Sequence, residues 1–136
     1  MNENNTKLSE RISDLCGELD QAQMDYQYYY DKVNEMDRLT QDYLHMVELK
    51  DLYDMELVRF GEELRDCQRK RREYKDICDH LQPVVEFLKT EKGQTTHDQL
   101  KQLLGKVRET EKRLANRQYI PRTLKEEEWG WKNISL

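Results

Sequence analysis

Histidine and cysteine are the side chains in this sequence best suited to bind a metal ion or to act in catalysis. Three histidines stand at positions 45, 80 and 97, and three cysteines at positions 16, 67 and 78. Cys78 and His80 are the closest pair, but residues two apart point to different sides of a helix. Because the chain has no Cys-x2-Cys or His-x3-His spacing, we predict no metal site and no cofactor.

Catalytic groups are equally absent from the sequence pattern. There is no glycine-rich phosphate loop. Carboxylates such as Glu62, Glu63 and Asp66 stand beside basic residues and are typical of a solvated salt-bridge surface. We therefore predict no catalytic residue and no enzymatic activity. The odd cysteine count and the lack of an apolar leader predict reduced thiols and a cytoplasmic protein.

A tyrosine cluster is the first candidate binding surface. Eight tyrosines outnumber two phenylalanines, and four of them stand in one helical turn, at Tyr26, Tyr28, Tyr29 and Tyr30. A tyrosine ring packs while its hydroxyl reaches water, so this cluster predicts either a wet core or a protein-binding face. An acidic, tyrosine-rich surface also suits an inhibitor that blocks a nucleic-acid-binding enzyme.

A basic segment is the second candidate, with five basic residues among the seven from 69 to 75. We predict partner contacts for Arg69, Lys70, Arg72 and Lys75, and pairing of Arg71 with an acidic residue on a neighbouring helix. A phosphate backbone is one partner that such a segment suits. The net charge of −5 disfavours a dedicated nucleic-acid binder.

The C-terminal tail is the third candidate, through Trp129, Trp131 and Ile134. Either the tryptophans pack on the helices, or they bind a partner. Residues 126–134 have an acidic run, an aromatic residue, two further residues and an aliphatic residue. This arrangement resembles a short linear motif of the autophagy-receptor type, and the resemblance implies docking to a partner protein.

The elements that position these side chains follow from an apolar seam. Charged residues make up 38% of the chain and hydrophobic residues 36%, which is too few for a thick globular core. Apolar residues recur three and four apart from residue 8 to residue 85, with one irregular step between Val33 and Tyr43. That step predicts either a locally overwound helix or a turn near residues 34–40. The seam residues predicted to associate with a second chain are Leu8, Ile12, Leu15, Leu19, Tyr43, Leu57, Phe60 and Leu64.

The predicted fold class is all-α, with long heptad-patterned helices in a coiled coil or helical bundle. Pro83 is expected to end a long helical element over residues 6–81 and to begin a short helix. A third helix over about residues 97–118 and an irregular tail follow, which gives one helical domain at 1–118 and a tail at 119–136. A second apolar stripe over residues 43–58 predicts burial against two neighbouring helices.

Charge asymmetry favours self-association. Residues 1–66 carry a net charge of −10 and residues 67–136 a net charge of +5, so an antiparallel homodimer would set opposite charges against each other. No apolar run is long enough to span a membrane. The sequence thus predicts a non-enzymatic protein-interaction protein: a coiled-coil scaffold, an adaptor or an assembly subunit. The alternatives are the acidic inhibitor and an accessory nucleic-acid binder that uses residues 69–75.

Overall fold

The predicted all-α fold class is confirmed by the structure, a computed structural model that describes residues 6–119, 121–124 and 134–135. It has three helices: α1 at Leu8–Leu49, α2 at Asp54–Lys89 and α3 at Glu91–Ala115. Two strands of two residues each, β1 at Gln118–Tyr119 and β2 at Ile134–Ser135, pair antiparallel. The chain divides into two compact units, one of residues 17–94 and one that combines residues 1–16 with 95–136.

The unit of residues 17–94 contains an antiparallel hairpin of α1 and α2. Residues further along α1 contact residues that lie earlier in α2, which shows that the two helices run antiparallel. The pairs are Tyr26 with Cys78, Tyr29 with Tyr74, Met36 with Cys67, and Tyr43 with Phe60. The predicted seam therefore packs on a second helix of the same chain, and Val33, Met36, Cys67 and Cys78 are buried.

No turn occurs at residues 34–40, where α1 continues as a helix. Thr40 as well as Leu39 lies against α2: Thr40 Oγ1 is 3.4 Å from Cys67 Sγ, and Leu39 lines a groove together with Cys67. With Thr40 in the seam, Val33, Met36, Thr40 and Tyr43 follow one another at spacings of three, four and three. The irregular step came from counting only large apolar residues.

The chain turns instead at residues 50–53, without glycine or proline. Tyr53 is the N-cap of α2 and makes no side-chain capping hydrogen bond, while Asp54 and Glu56 place negative charge in its first turn. Lys50 interrupts the seam, and the adjacent Asp51 interrupts the second apolar stripe. That double interruption was the available sequence signal for this turn.

Pro83 does not end a helix, because α2 runs through it to Lys89. An interior proline costs a helix roughly 3 kcal/mol. Two buried residues beyond it, Val85 and Leu88, supply packing that offsets this cost. The separate short helix that the sequence predicts over about residues 84–91 is therefore wrong, and residues 84–89 are the last turns of α2.

Thr90 joins α2 to α3 through a single hydroxyl group. Its Oγ1 donates a hydrogen bond to the Phe87 carbonyl at 2.6 Å and accepts one from the Gly93 backbone N–H at 3.0 Å. A methyl group on Gly93 would lie 1.7 Å from the Phe87 carbonyl oxygen. Only glycine fits this close approach. Gly93 lies in the first turn of α3, which begins at Glu91 rather than near residue 97 as predicted.

The other unit packs the beginning of α1 with α3. Ser9, Cys16 and Leu104 are buried there, whereas Leu8 and Leu15 of the predicted seam are half exposed. The packing face of this part of α1 is thus displaced by one residue from the predicted seam. The third helix ends at Ala115, three residues before its predicted end.

Candidate docking surface

The end of the α1–α2 hairpin carries the densest group of exposed apolar side chains in the described part of the chain. We call residues 44–58 the hairpin tip; it comprises the last turns of α1, the turn, and the first turns of α2. Eight large apolar side chains are exposed within these fifteen residues, and Tyr53 and Met55 retain 79% and 85% of their full exposure. They are Leu44, Met46, Val47, Leu49, Tyr53, Met55, Leu57 and Val58.

This exposure follows from where the hairpin packing ends. The rings of Tyr43 and Phe60, 5.9 Å apart, make an aromatic contact between α1 and α2 just before the hairpin tip. An open groove of about 460 Å³ lies on the α1 side of the hairpin tip, lined by Asp42, His45, Met46, Leu49 and Lys50. Large groups of exposed apolar side chains mark interaction sites on soluble proteins.

The hairpin tip is the site that sequence reasoning missed. Its second stripe was recognised, as Leu44, Val47, Met55 and Val58, but it was assigned to burial in the middle of a bundle. The structure leaves all four exposed within the chain. The predicted burial of this stripe against two helices is therefore not found within the chain, because the stripe lies at a turn.

A basic groove of about 400 Å³ lies between α1 and α2, lined by Asp37, Thr40, Gln68, Arg71, Arg72 and Lys75. Arg71 pairs with Asp37 across the hairpin, which confirms the predicted pairing of Arg71 with a neighbouring helix. Lys75 bonds Asp79 at 3.0 Å, and this bond raises the pKa of Lys75.

The basic segment does not form one continuous surface. Arg72 and Lys75 line the basic groove, whereas Lys70 lines a different groove, together with Glu63 and Asp66. Arg69, Lys70 and Arg72 are exposed, and none of them has an ion-pair partner among residues 6–119. Three cations are thus free to meet an external acidic group, though on more than one side of α2.

One face of the hairpin connects the basic groove with the hairpin tip. Residues seven apart lie on the same side of a helix, so the groove residues Asp37 and Thr40 share their side of α1 with Leu44 and Val47. On α2, the same rule places residues 65 and 58 on the side of Arg72, and residues 68, 61 and 54 on the side of Lys75. We define the docking face as Leu44, Val47, Asp54, Val58, Gly61, Arg65, Gln68 and Arg72, all of which are exposed.

The tyrosine cluster is divided by the helix. Tyr26 and Tyr29 are half-buried, and the Tyr29 ring lies 5.8 Å from the Tyr74 ring of α2. Tyr28 and Tyr30 are exposed. The rings still touch one another along α1, with Tyr26 stacked on Tyr30 at 6.1 Å and Tyr28 edge-on to Tyr29 at 5.0 Å. Only half of the cluster is available to a partner.

The third candidate surface is the C-terminal tail. Trp129 and Trp131 lie outside the described residues. Ile134 belongs to β2, where its backbone stands opposite Tyr119. Whether these three residues bind a partner remains a prediction.

The described residues offer no arrangement typical of a metal site. No cluster of three or more His, Cys, Asp or Glu side chains there is placed to hold a metal ion. Cys16, Cys67 and Cys78 are buried free thiols, and burial raises the pKa of Cys78. No described helix combines the length and the apolar character needed to cross a bilayer.

Comparison of the chain with protein-family profiles, with curated proteins and with solved structures finds no match. The candidate function therefore rests on the geometry of the chain itself.

Proposed function

We propose that this protein is a non-enzymatic protein-interaction protein, an adaptor or assembly subunit that docks through its hairpin tip. The observation that carries the proposal is the exposure of eight large apolar side chains within residues 44–58. Burying one Val, Leu or Met side chain contributes about 1.5–3 kcal/mol. Covering a few of the eight would therefore supply the apolar centre of a specific interface.

The experiment compares two variants of equal charge. The tip variant replaces Met55 and Val58 of the hairpin tip by serine. The α3 variant replaces Leu103 and Leu114, two half-exposed residues of α3, by serine. Each tagged chain is cross-linked in extract of the native host, and complexes of fixed stoichiometry are identified. In parallel, the molar mass of each purified chain is measured, with helicity checked by circular dichroism.

The proposal expects a stoichiometric complex, with another protein or with the chain itself, that the tip variant loses and the α3 variant keeps. Serine at positions 55 and 58 leaves the fold intact, because both side chains are exposed. Equal complexes and equal molar masses for the wild type and the tip variant would remove the hairpin tip as a docking surface.

A second candidate function is binding of nucleic acid through residues 69–75. It is favoured by Arg69, Lys70 and Arg72, which are exposed and have no ion-pair partner in the described part of the chain. Phosphate binding predicts duplex affinity that falls steeply with salt and is lost on replacing Arg69 and Arg72 by glutamate. A flat salt dependence, or unchanged affinity in that variant, would exclude it.

A further inference from the structure

We infer that the hairpin tip docks on a second copy of this chain, with two hairpins packed antiparallel along the docking face and the twofold axis at Gly61. This inference rests on the proposed function and names its partner. Gly61 lies on the docking face between the apolar tip and the arginines. The arrangement is argued from charge, from shape and from apolar cover.

Charge is distributed along the hairpin so that its two halves attract each other. Residues 42–59 contain five Asp/Glu and two Lys/Arg, whereas residues 65–75 contain six Lys/Arg and two Asp/Glu. Arg65 and Arg72 have no ion-pair partner among the described residues. An acidic surface outside the hairpin can therefore pair with them, and the hairpin tip of a second copy is one.

A twofold axis at Gly61 places the acidic residues of one copy opposite the basic residues of the other. Asp54 stands seven residues before Gly61, and Gln68 seven after, so Asp54 of one copy lies level with Gln68 and Arg69 of the other. Asp51 belongs to the turn that precedes α2, so we place it beyond Asp54, toward Arg71 and Arg72 of the other copy. Each acidic tip meets the basic segment of the other copy, so the dimer has two such contacts, one at either end of the interface.

Shape supports the same axis. Gly61 is exposed, and within the described structure a methyl group added to it would have no neighbouring side chain or other helix within 4 Å. A residue without a side chain at the crossing point lets two helices approach closely. Gly61 also costs α2 about 0.5–1 kcal/mol relative to alanine, a cost that close packing there would offset.

Apolar cover comes from the arginines themselves. Val58 stands three residues before Gly61, so it lies level with Leu64 and Arg65 of the second copy. The methylene stem of an arginine covers apolar surface while its guanidinium reaches a carboxylate. Arg65 can thus cover Val58 and pair with an acidic residue of the partner tip in one conformation.

The opposite arrangement, tip against tip, is disfavoured by charge. It would place the four acidic residues of one hairpin tip beside the four of the other, and like charges across an interface reduce affinity. An overlap from Asp54 to Arg72 runs about 27 Å along α2. Two helices wide, it gives a footprint of roughly 600 Å² per partner, at the lower end of specific interfaces. We therefore expect a dimer whose population depends on concentration.

The test is sedimentation equilibrium of the full chain from micromolar to millimolar concentration. The wild type is expected to approach twice its mass of 16.6 kDa. The basic-reversed variant, with Arg65→Glu and Arg72→Glu, and the tip-reversed variant, with Asp51→Arg and Asp54→Arg, should each remain monomeric. An equimolar mixture of the two should dimerise again, because both ends of the mixed interface regain opposite charges.

Two further variants test the geometry. Gly61→Leu should abolish the dimer and keep full helicity, because it blocks the crossing point and has room within the monomer. Lys70→Glu, a control in the groove on another side of α2, should leave the dimer intact. Failure of the charge-reversed pair to associate, or a Gly61→Leu dimer of wild-type affinity, would overturn the arrangement.

The failure of this inference is distinguishable from failure of the proposed function. A wild-type chain that stays at 16.6 kDa up to millimolar concentration rules out the second copy as partner. Tip-dependent capture of a different protein would then leave the proposed function standing. If neither a dimer nor a tip-dependent complex forms, both proposals fail.

Discussion

The Glu111 carboxylate of α3 accepts a hydrogen bond of 3.1 Å from the backbone N–H of Ser9 in the first turn of α1. The first N–H groups of a helix have no partner within the helix, and the helix dipole favours negative charge there. Bonds from Ser9 lower the pKa of Glu111. From the sequence, Glu111 only interrupted the apolar stripe of α3, because its partner lies 102 residues away.

Replacing Glu111 by glutamine is expected to lower the unfolding temperature at neutral pH. The folded-state pKa lies below the unfolded one, so the ionised carboxylate stabilises the fold above its unfolded pKa. This stabilisation is lost as the pH falls through the folded pKa. The difference between wild type and variant should therefore shrink on acidification, as measured by thermal unfolding at several pH values.

Glu109→Gln is the matched control, since Glu109 is an exposed carboxylate of α3 with no hydrogen bond to another described residue. Its unfolding temperature should follow that of the wild type. A Glu111→Gln difference that stays constant into acid would contradict the capping role.

Gly93→Ala is expected to destabilise the protein by about 1–3 kcal/mol or more, since the new methyl group overlaps the Phe87 carbonyl. Gly105→Ala is the control: its methyl group meets no atom within 4 Å in the described structure, so alanine should stabilise α3 by about 0.5–1 kcal/mol. Urea unfolding measures both changes, and a neutral Gly93→Ala would show that the α2–α3 joint is looser than described.

Met36→Ala and Met55→Ala separate the packed part of the hairpin from its tip. Met36 is 8% exposed and Met55 85%. We expect a loss of about 2–5 kcal/mol at Met36 and a change within about 0.5 kcal/mol at Met55. Urea unfolding below the concentration of self-association gives both values. Equal losses at the two positions would place the hairpin tip in the core.

The three cysteines should react slowly with thiol reagents in the folded protein. Cys16, Cys67 and Cys78 are at most 6% exposed, and a raised pKa leaves less of the reactive thiolate at Cys78. Titration with an aromatic disulfide at neutral pH should show a slow phase in buffer and three fast thiols in denaturant. Three fast thiols in buffer would contradict the described packing.

Helix periodicity predicted the all-α fold because large apolar residues dominate most of the seam. The details failed where small polar residues or thiols do the packing: Ser9 in place of Leu8, Cys16 in place of Leu15, and Thr40 beside Leu39. A short side chain faces a close neighbour, while an adjacent leucine can remain exposed. Such a choice depends on the distance between helices, which a single sequence does not record.

The candidate site was predictable in part. The sequence indicated an apolar surface over residues 43–58 and a basic segment over residues 69–75. It could not show that a turn at residues 50–53 leaves the first exposed, because that turn has no glycine or proline and no side-chain cap. The division of the basic segment between two grooves likewise depends on how α2 is rotated against α1.

The hydroxyl of Thr90 fixes the place where the chain passes from α2 to α3. The same oxygen atom serves the carbonyl of Phe87 and the N–H of Gly93, so moving the boundary by one residue would sacrifice one of its bonds. Neither helix can grow at the expense of the other. Serine alone among the other residues has a hydroxyl at the same position, whereas valine, of equal shape, would lose both side-chain hydrogen bonds and keep only the backbone bond from the N–H of residue 90 to the Phe87 carbonyl.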